Sequence, residues 1–238
     1  MSEYSEEIKD EIRKAAMSCE WLRINALLQQ YGPGLAAADL DGTGYTALHI
    51  MQYQMKDEMV DAAKSGEWSQ INALLQQHGP ELATVSLNKC SATVLHLIAG
   101  DAPDDQTSAE SIRNLCTIYN VNVDFVHPEC YWGWTPLHIA TIYLNVHQVR
   151  ALLRCGATVD TKDNIYDYTP MDNCCMITLF EGIDQTNKAT IISLLKNPPR
   201  TYKQELIDKR NLLAMILNKL ISLGTKDDIK TLLISIGY

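Results

Sequence analysis

Residues 134–140 read WTPLHIA, and shorter relatives of the phrase return as YTALHI at 45–50 and ATVLHLI at 92–98. One Leu-His pair says nothing. A Thr-x-Leu-His frame that returns three times in 238 residues, each time opening a helix-like run, marks either a set of chemical groups or a repeated building block. The flanking sequence decides for the block. Shifted by 47 residues, EIRKAAMSCEWLRINALLQQYGPGLA (11–36) falls on EMVDAAKSGEWSQINALLQQHGPELA (58–83), with 17 of 26 positions identical. The same shift, without a gap, lays Thr46-Ala47-Leu48-His49 on Thr93-Val94-Leu95-His96. Thr135-Pro136-Leu137-His138 follows 42 residues later, and a decayed Thr169-Pro170-Met171-Asp172 comes 34 after that. A variable period around a constant frame means units that stack through that frame and take insertions on one side.

Each unit reads as two helices and a loop. In the first, Ile12, Ala15 and Ala16 mark a short helix with a small-residue face, and Trp21, Ile24, Leu27 and Leu28 recur at helical spacing in a second. Gly32-Pro33 stops that helix, and the polar DLDGTG at 39–44 supplies a turn before the next Thr. The Thr box then has a mechanical reading. Thr135 caps a helix by accepting from a free backbone N–H, and Pro136 takes the first helical position, where a missing donor costs nothing. Leu137 points into the stack, and His138 can join the loops of adjacent units through its ring nitrogens. On this reading Thr46, His49, Thr93, His96, Thr169 and Pro170 are scaffold positions as well.

The pattern resembles the ankyrin repeat. The fullest unit, TPLHIATIYLNVHQVRALLRCGATVDTKDNIYDY at 135–168, carries it from the Thr-Pro-Leu-His box through Leu152-Leu153, Gly156-Ala157, Val159-Asp160 and Lys162-Asp163. The resemblance covers about 8–197 and implies an all-α solenoid of helix pairs with hairpin-like loops. The turns before each Thr would project as fingers, and the first helices would line a concave face. Units are expected near 8–45, 46–92, 93–134, 135–168 and 169–197, within an array of 1–199. Helix pairs should centre near 10–16/20–30, 58–65/68–77, 135–142/146–154 and 170–178/188–196, with a short helix starting at Thr46.

Departures from the repeat carry information. After Thr46 the chain runs about 14 residues beyond a standard unit before its second helix. Either the first helix is longer, or an incomplete unit precedes a fresh start at 57. The duplication favours the fresh start. AGDAPDDQTSAE at 99–110 is expected as an inserted loop, with Ser108 or Thr107 capping the helix after it; EGIDQTN at 181–187 holds the equivalent place in the next unit. Beyond Pro198-Pro199, the segment 200–238 shows a helical stripe of Leu206, Leu213, Ile216, Leu217 and Leu220. Its expected role is a cap over the open end of the stack, with docking of another protein as the alternative.

Composition bounds the function. Residues 1–187 carry 11 Lys+Arg against 25 Asp+Glu, a net of −14, whereas 188–238 carry 9 against 4, a net of +5. An acidic body disfavours direct nucleic-acid binding, where phosphate neutralisation supplies much of the affinity. No stretch approaches the roughly 18 apolar residues of a membrane span. The acidic, amphipathic opening MSEYSEEIKDEIRK does not read as a secretory signal, so the expected compartment is a cytosol. The seven cysteines are odd in number and contain no CxxC pair, which points to reduced thiols, neither a disulfide framework nor a zinc cluster.

Catalytic groups do not converge in the sequence. His49, His96 and His138 share one repeat position, so neighbouring copies lie about 10 Å apart, too far to share a metal. Nothing orients a Cys155–His147 dyad, Cys174-Cys175 reads as a small-residue position, and Asp101, Asp104 and Asp105 lack the spacing of a calcium loop. No cofactor or metal is expected.

The leading reading is therefore a non-catalytic scaffold for a protein partner. An enzyme with a site in the insertions or C-terminal helices, and a self-associating assembly protein, stand as alternatives. The contact candidates are Tyr131, Trp132, Ile165 and Tyr166 at the tips of the third and fourth fingers, rimmed by Glu129, Asp163 and Asp167. If Trp132 and Tyr166 instead fold back on their own hairpins, the search moves to the concave face around Tyr143 and Asn145. Degenerate units, inserts and duplication resemble ankyrin proteins of bacteria and viruses that live inside eukaryotic cells, which implies possible delivery into a host cytoplasm as an effector.

Overall fold

The computed structural model describes residues 4–18, 20–42, 46–126, 132–177 and 184–223. Among these the architecture is all-α. Helices α1 (Glu6–Met17) and α2 (Trp21–Tyr31) are followed by a 3-10 turn at Pro33–Ala37. Next come α3 (Ala47–Ser65), α4 (Trp68–His78) and a second 3-10 turn at Pro80–Thr84. Then follow the pairs α5 (Val94–Gly100) with α6 (Gln106–Ile118), α7 (Pro136–Ile142) with α8 (Val146–Cys155), and α9 (Pro170–Met176) with α10 (Gln185–Lys196). Helix α11 (Tyr202–Leu223) closes the described chain. The first helices stack α3 on α5, α5 on α7 and α7 on α9; the second helices stack α4 on α6, α6 on α8 and α8 on α10. This is the ankyrin-like solenoid the repeat implied.

The expected short helix at Thr46 and fresh start at 57 are corrected: α3 is one continuous helix of 19 residues, which is the longer-helix alternative. Its two halves belong to different cores. Ala47 and Ile50 pack with Ile12, Ala15, Ala16, Ile24 and Leu35, whereas Met59, Ala62 and Ala63 join Ile71, Leu95, Ile98, Leu115 and the rest of the main core. The cause lies in the sequence. The 47-residue shift sets Tyr53 and Lys56 where the next copy has Gly100 and Pro103, and those two residues end α5. Without a breaker between Ala47 and Ser65 the helix runs on until Gly66, which takes the left-handed conformation (φ 71°) at its end.

The insertion at 99–110 is mostly helix, since α5 extends to Gly100 and α6 begins at Gln106. Asp105, and not Ser108 or Thr107, caps α6 by accepting from the Ser108 N–H at 2.9 Å. A carboxylate at this end also meets the positive pole of the helix dipole. Asp104 does the same for the following unit, accepting from the N–H groups of Val146 (3.0 Å) and His147 (2.7 Å) at the start of α8.

The cap expected from 200–238 is met only at its foot. Arg154 on α8 donates to both Glu205 oxygens at 2.7 and 2.8 Å and lies over the Tyr202 ring at 4.2 Å. Further along α11, Leu212, Leu213, Met215 and Leu217 stand exposed, as does Leu206.

Candidate functional site

The Thr boxes fold as mutual caps. Thr135 Oγ1 accepts from the His138 N–H, while His138 Nδ1 lies 3.1 Å from the Thr135 N–H and 2.8 Å from its hydroxyl. With Nδ1 accepting, the other ring nitrogen carries the proton, and Nε2 donates to the Tyr168 carbonyl of the next finger at 3.1 Å. His96 repeats this with Thr93 and with the Trp134 carbonyl at 2.9 Å. Each of these rings has both nitrogens committed to joining two units. Burial holds His138 below the usual imidazole pKa, against the opposing bond to Tyr168, which keeps the ring neutral. His49 makes the same cap with Thr46 but is exposed, because it sits on the first half of α3, apart from the main core. In the decayed fourth box, Asp172 accepts from the Thr169 N–H (2.9 Å) and hydroxyl (2.7 Å). A carboxylate keeps the cap and has no donor for a next loop, which suits the end of a series.

The fingers are closed by equivalent bonds, Leu87 N–H to Ala92 carbonyl at 2.8 Å and Asp163 N–H to Tyr168 carbonyl at 2.9 Å. Ser91, Gly133 and Asp167, each two residues before a Thr, all have positive φ (57°, 66° and 55°). The third and fourth fingers lie side by side, tied by the Asn164 N–H to the Trp132 carbonyl at 2.9 Å.

Several candidates are placed differently from expectation. Tyr131 and Glu129 lie outside the described residues. Trp132 and Tyr166 do fold back, with ring centroids 5.3 Å from Trp134 and from Tyr168 respectively, yet they remain 40% and 61% exposed. Ile165 is half-buried and Asp167 exposed. Asp163 is not a rim residue. It is buried and accepts from the N–H groups of Ile165 and Tyr166 and from Trp134 Nε1 of the neighbouring finger. Desolvation pushes its carboxyl up, but those hydrogen bonds outweigh it and the net shift is downward. Asn145 is likewise structural: its amide donates to the Ala99 and Gly100 carbonyls at 2.9 and 3.3 Å, tying the start of α8 to the end of α5.

Tyr143 is different. It is 59% exposed and, with Trp132, lines an open groove of about 190 Å³ between the fingers and the first helices. Leu97 and Ile139 form the floor, Asn88 and Cys90 stand on the neighbouring finger, and Asp101 contributes a carboxylate. Sequence reasoning missed Leu97, Ile139, Cys90 and Asp101 as lining. The usable signal was the helical spacing of Ile139 and Tyr143, which puts both on one face of the turn after His138. Close approach of α5 and α7 shapes the groove, because a Cβ on Gly100 would lie 2.7 Å from Ile139 Cγ2 and 3.3 Å from the Tyr143 ring.

Among the described residues no three His, Cys, Asp or Glu side chains converge on a metal-sized site, and no helix is long and apolar enough to cross a membrane. No curated protein matches the chain. The family model described as Ankyrin repeat matches residues 132–164, from Trp132 in the third finger through α7 and α8 to Asn164 in the fourth.

Proposed function

We propose that this chain is a non-catalytic scaffold that binds a protein partner in the groove between the fingers and first helices of its central units. The observation that carries the reading is Tyr143: a large aromatic side chain exposed on the groove side, beside a half-open Trp132 and above an apolar floor. Aromatic groups in such pockets are the usual anchors of protein interfaces. The Asp101 carboxylate and the acidic body favour a partner segment that places a basic residue next to an apolar one. The partner is met in a cytosol, in keeping with the reduced-thiol pattern. Delivery into a host cell extends the reading on the strength of the degenerate repeats and is tested by cell fractionation during infection.

Capture of the partner by the intact chain, followed by titration against Trp132→Ala and Tyr143→Ala, tests the proposal. Each true anchor should weaken binding by about 2 kcal/mol or more, roughly thirtyfold, with an unchanged circular dichroism spectrum. Unchanged affinity in both variants would remove the groove from consideration. A second reading, self-association, rests on the separate observation that α11 exposes Leu206, Leu213 and Leu217 along one stripe.

A further inference from the structure

We propose that Cys116 and Cys155 form an intrachain redox pair, an accessible dithiol that a peroxide closes to a disulfide, stapling the second helices of two neighbouring units. Cys116 lies near the end of α6 and Cys155 is the last residue of α8, two helices packed side by side. Their thiols hydrogen-bond to one another across that contact. Both are half-buried, and both line an open cavity of about 520 Å³ whose other wall is the foot of α11, with Tyr202 and Leu206. Hydrogen bonding to Cys155, and then burial, push the Cys116 thiol up, so Cys116 is the member that holds the shared proton. The Cys155 sulfur receives that hydrogen bond and faces a cavity wide enough for a small oxidant.

The chemistry balances with hydrogen peroxide as the oxidant. The Cys155 sulfur attacks one peroxide oxygen, the O–O bond breaks, and a sulfenic acid and one water result, the thiol proton leaving with that water. The Cys116 sulfur then attacks the Cys155 sulfur; the S–S bond forms, the S–O bond breaks and a second water carries away the Cys116 proton. Two electrons pass from the two sulfurs to the peroxide. Sulfurs already in contact need only a small side-chain adjustment to reach the bonded separation of about 2.05 Å.

The experiment titrates the reduced full-length chain with hydrogen peroxide and maps the cysteines by mass spectrometry without reduction. The expected product is one peptide pair carrying Cys116 and Cys155, about 2 Da lighter than the two thiol peptides, formed at the same rate when the protein is diluted tenfold. It should appear before Cys90 and Cys175 are consumed, although those two are the exposed thiols. A dithiol reductant should reverse it, and closure should raise the melting temperature by several degrees. Oxidation in order of exposure, with Cys90 and Cys175 first, would overturn the proposal, as would linkage to any other cysteine or a rate that falls on dilution. Cys155→Ser serves as the control and must abolish the cross-linked peptide. Should that variant fail to fold, the wild-type map alone decides.

Discussion

His138 and His49 occupy the same position of the same motif, and the structure gives them different work. Replacing His138 with Ala removes the donor to the Tyr168 carbonyl and the acceptor for the Thr135 N–H, in a site where Thr135 and His138 are both 0% exposed. Each stranded backbone group costs about 1–3 kcal/mol, and the lost ring leaves a void as well. The sum is about 3–5 kcal/mol. His49→Ala removes only the cap on Thr46, in an exposed setting where water substitutes, so about 0.5–1 kcal/mol is expected. The pair is measured by urea unfolding, followed by circular dichroism and by fluorescence, since Trp132 and Trp134 lie in the finger beside α7. The pH dependence is a second, independent reading. Burial puts the folded pKa of His138 below the model value of 6.5, so the unfolded chain binds the proton more tightly. Its contribution is complete above that value and is lost as pH falls from there through the folded pKa; in His138→Ala this loss should vanish. Equal costs for the two variants, within about 0.5 kcal/mol, would refute the claim that Nε2 joins successive units.

Gly100→Ala should destabilise by about 1–3 kcal/mol in a urea midpoint, despite alanine's better helix propensity, because the new Cβ meets Ile139 where the helices cross. A rise in stability would mean that Ile139 yields. Asp172→Ala should cost about 1 kcal/mol at neutral pH through the lost cap. Hydrogen bonds from the Thr169 hydroxyl and then its N–H hold this carboxyl below its ordinary range, so its contribution is present above pH 3.8 and is lost as pH falls through the folded pKa; the wild-type and Asp172→Ala melting curves should converge in acid. Removing 200–238 should leave the melting temperature of the array nearly unchanged and reduce self-association in sedimentation, since the bare stripe of α11 leaves with it. Aggregation of the truncated chain would restore the cap.

The frame was legible because it was physical: Thr, Pro, Leu and His each do at residues 135–138 what their chemistry suggested, and the duplication made the register unambiguous. The errors share a cause. Asn145, Asp163 and Asp104 all read as loop or surface polar groups, and all three spend their side chains on the backbone of a neighbouring unit. A sequence shows that a residue can accept or donate. It does not show which chain end forty residues away has a vacant partner. The finger aromatics were misjudged for a related reason. Folding back on a neighbouring ring and remaining exposed were weighed as exclusive, yet Trp132 and Tyr166 do both, because a tilted ring contact covers only one face.

Helix α3 shows how a duplication can alter a stack while preserving its units. The copied segment begins with a first helix and ends with a Thr-box helix, so the two copies meet Thr box to first helix, at residues 46–65. Where the later copy has Gly100 and Pro103, that Thr-box helix ends and a loop leads to a second helix, α6, that covers it. Where the earlier copy has Tyr53 and Lys56, the two helices fuse. The Thr46 unit therefore has no second helix of its own, and its inner residues Ala47 and Ile50 are covered by α1, α2 and the turn at Pro33–Ala37. That arrangement closes a small first core and leaves the main core to begin at Met59. It also explains the histidines. A Thr-box His reaches a partner carbonyl only when the next unit stacks directly on its own helix turn, as at His96 and His138. At His49 the stack resumes farther along the same helix, at Met59, and the residue stays in solvent. The central units, where unbroken stacking aligns the fingers with the first helices, are accordingly the ones that form the groove lined by Trp132 and Tyr143.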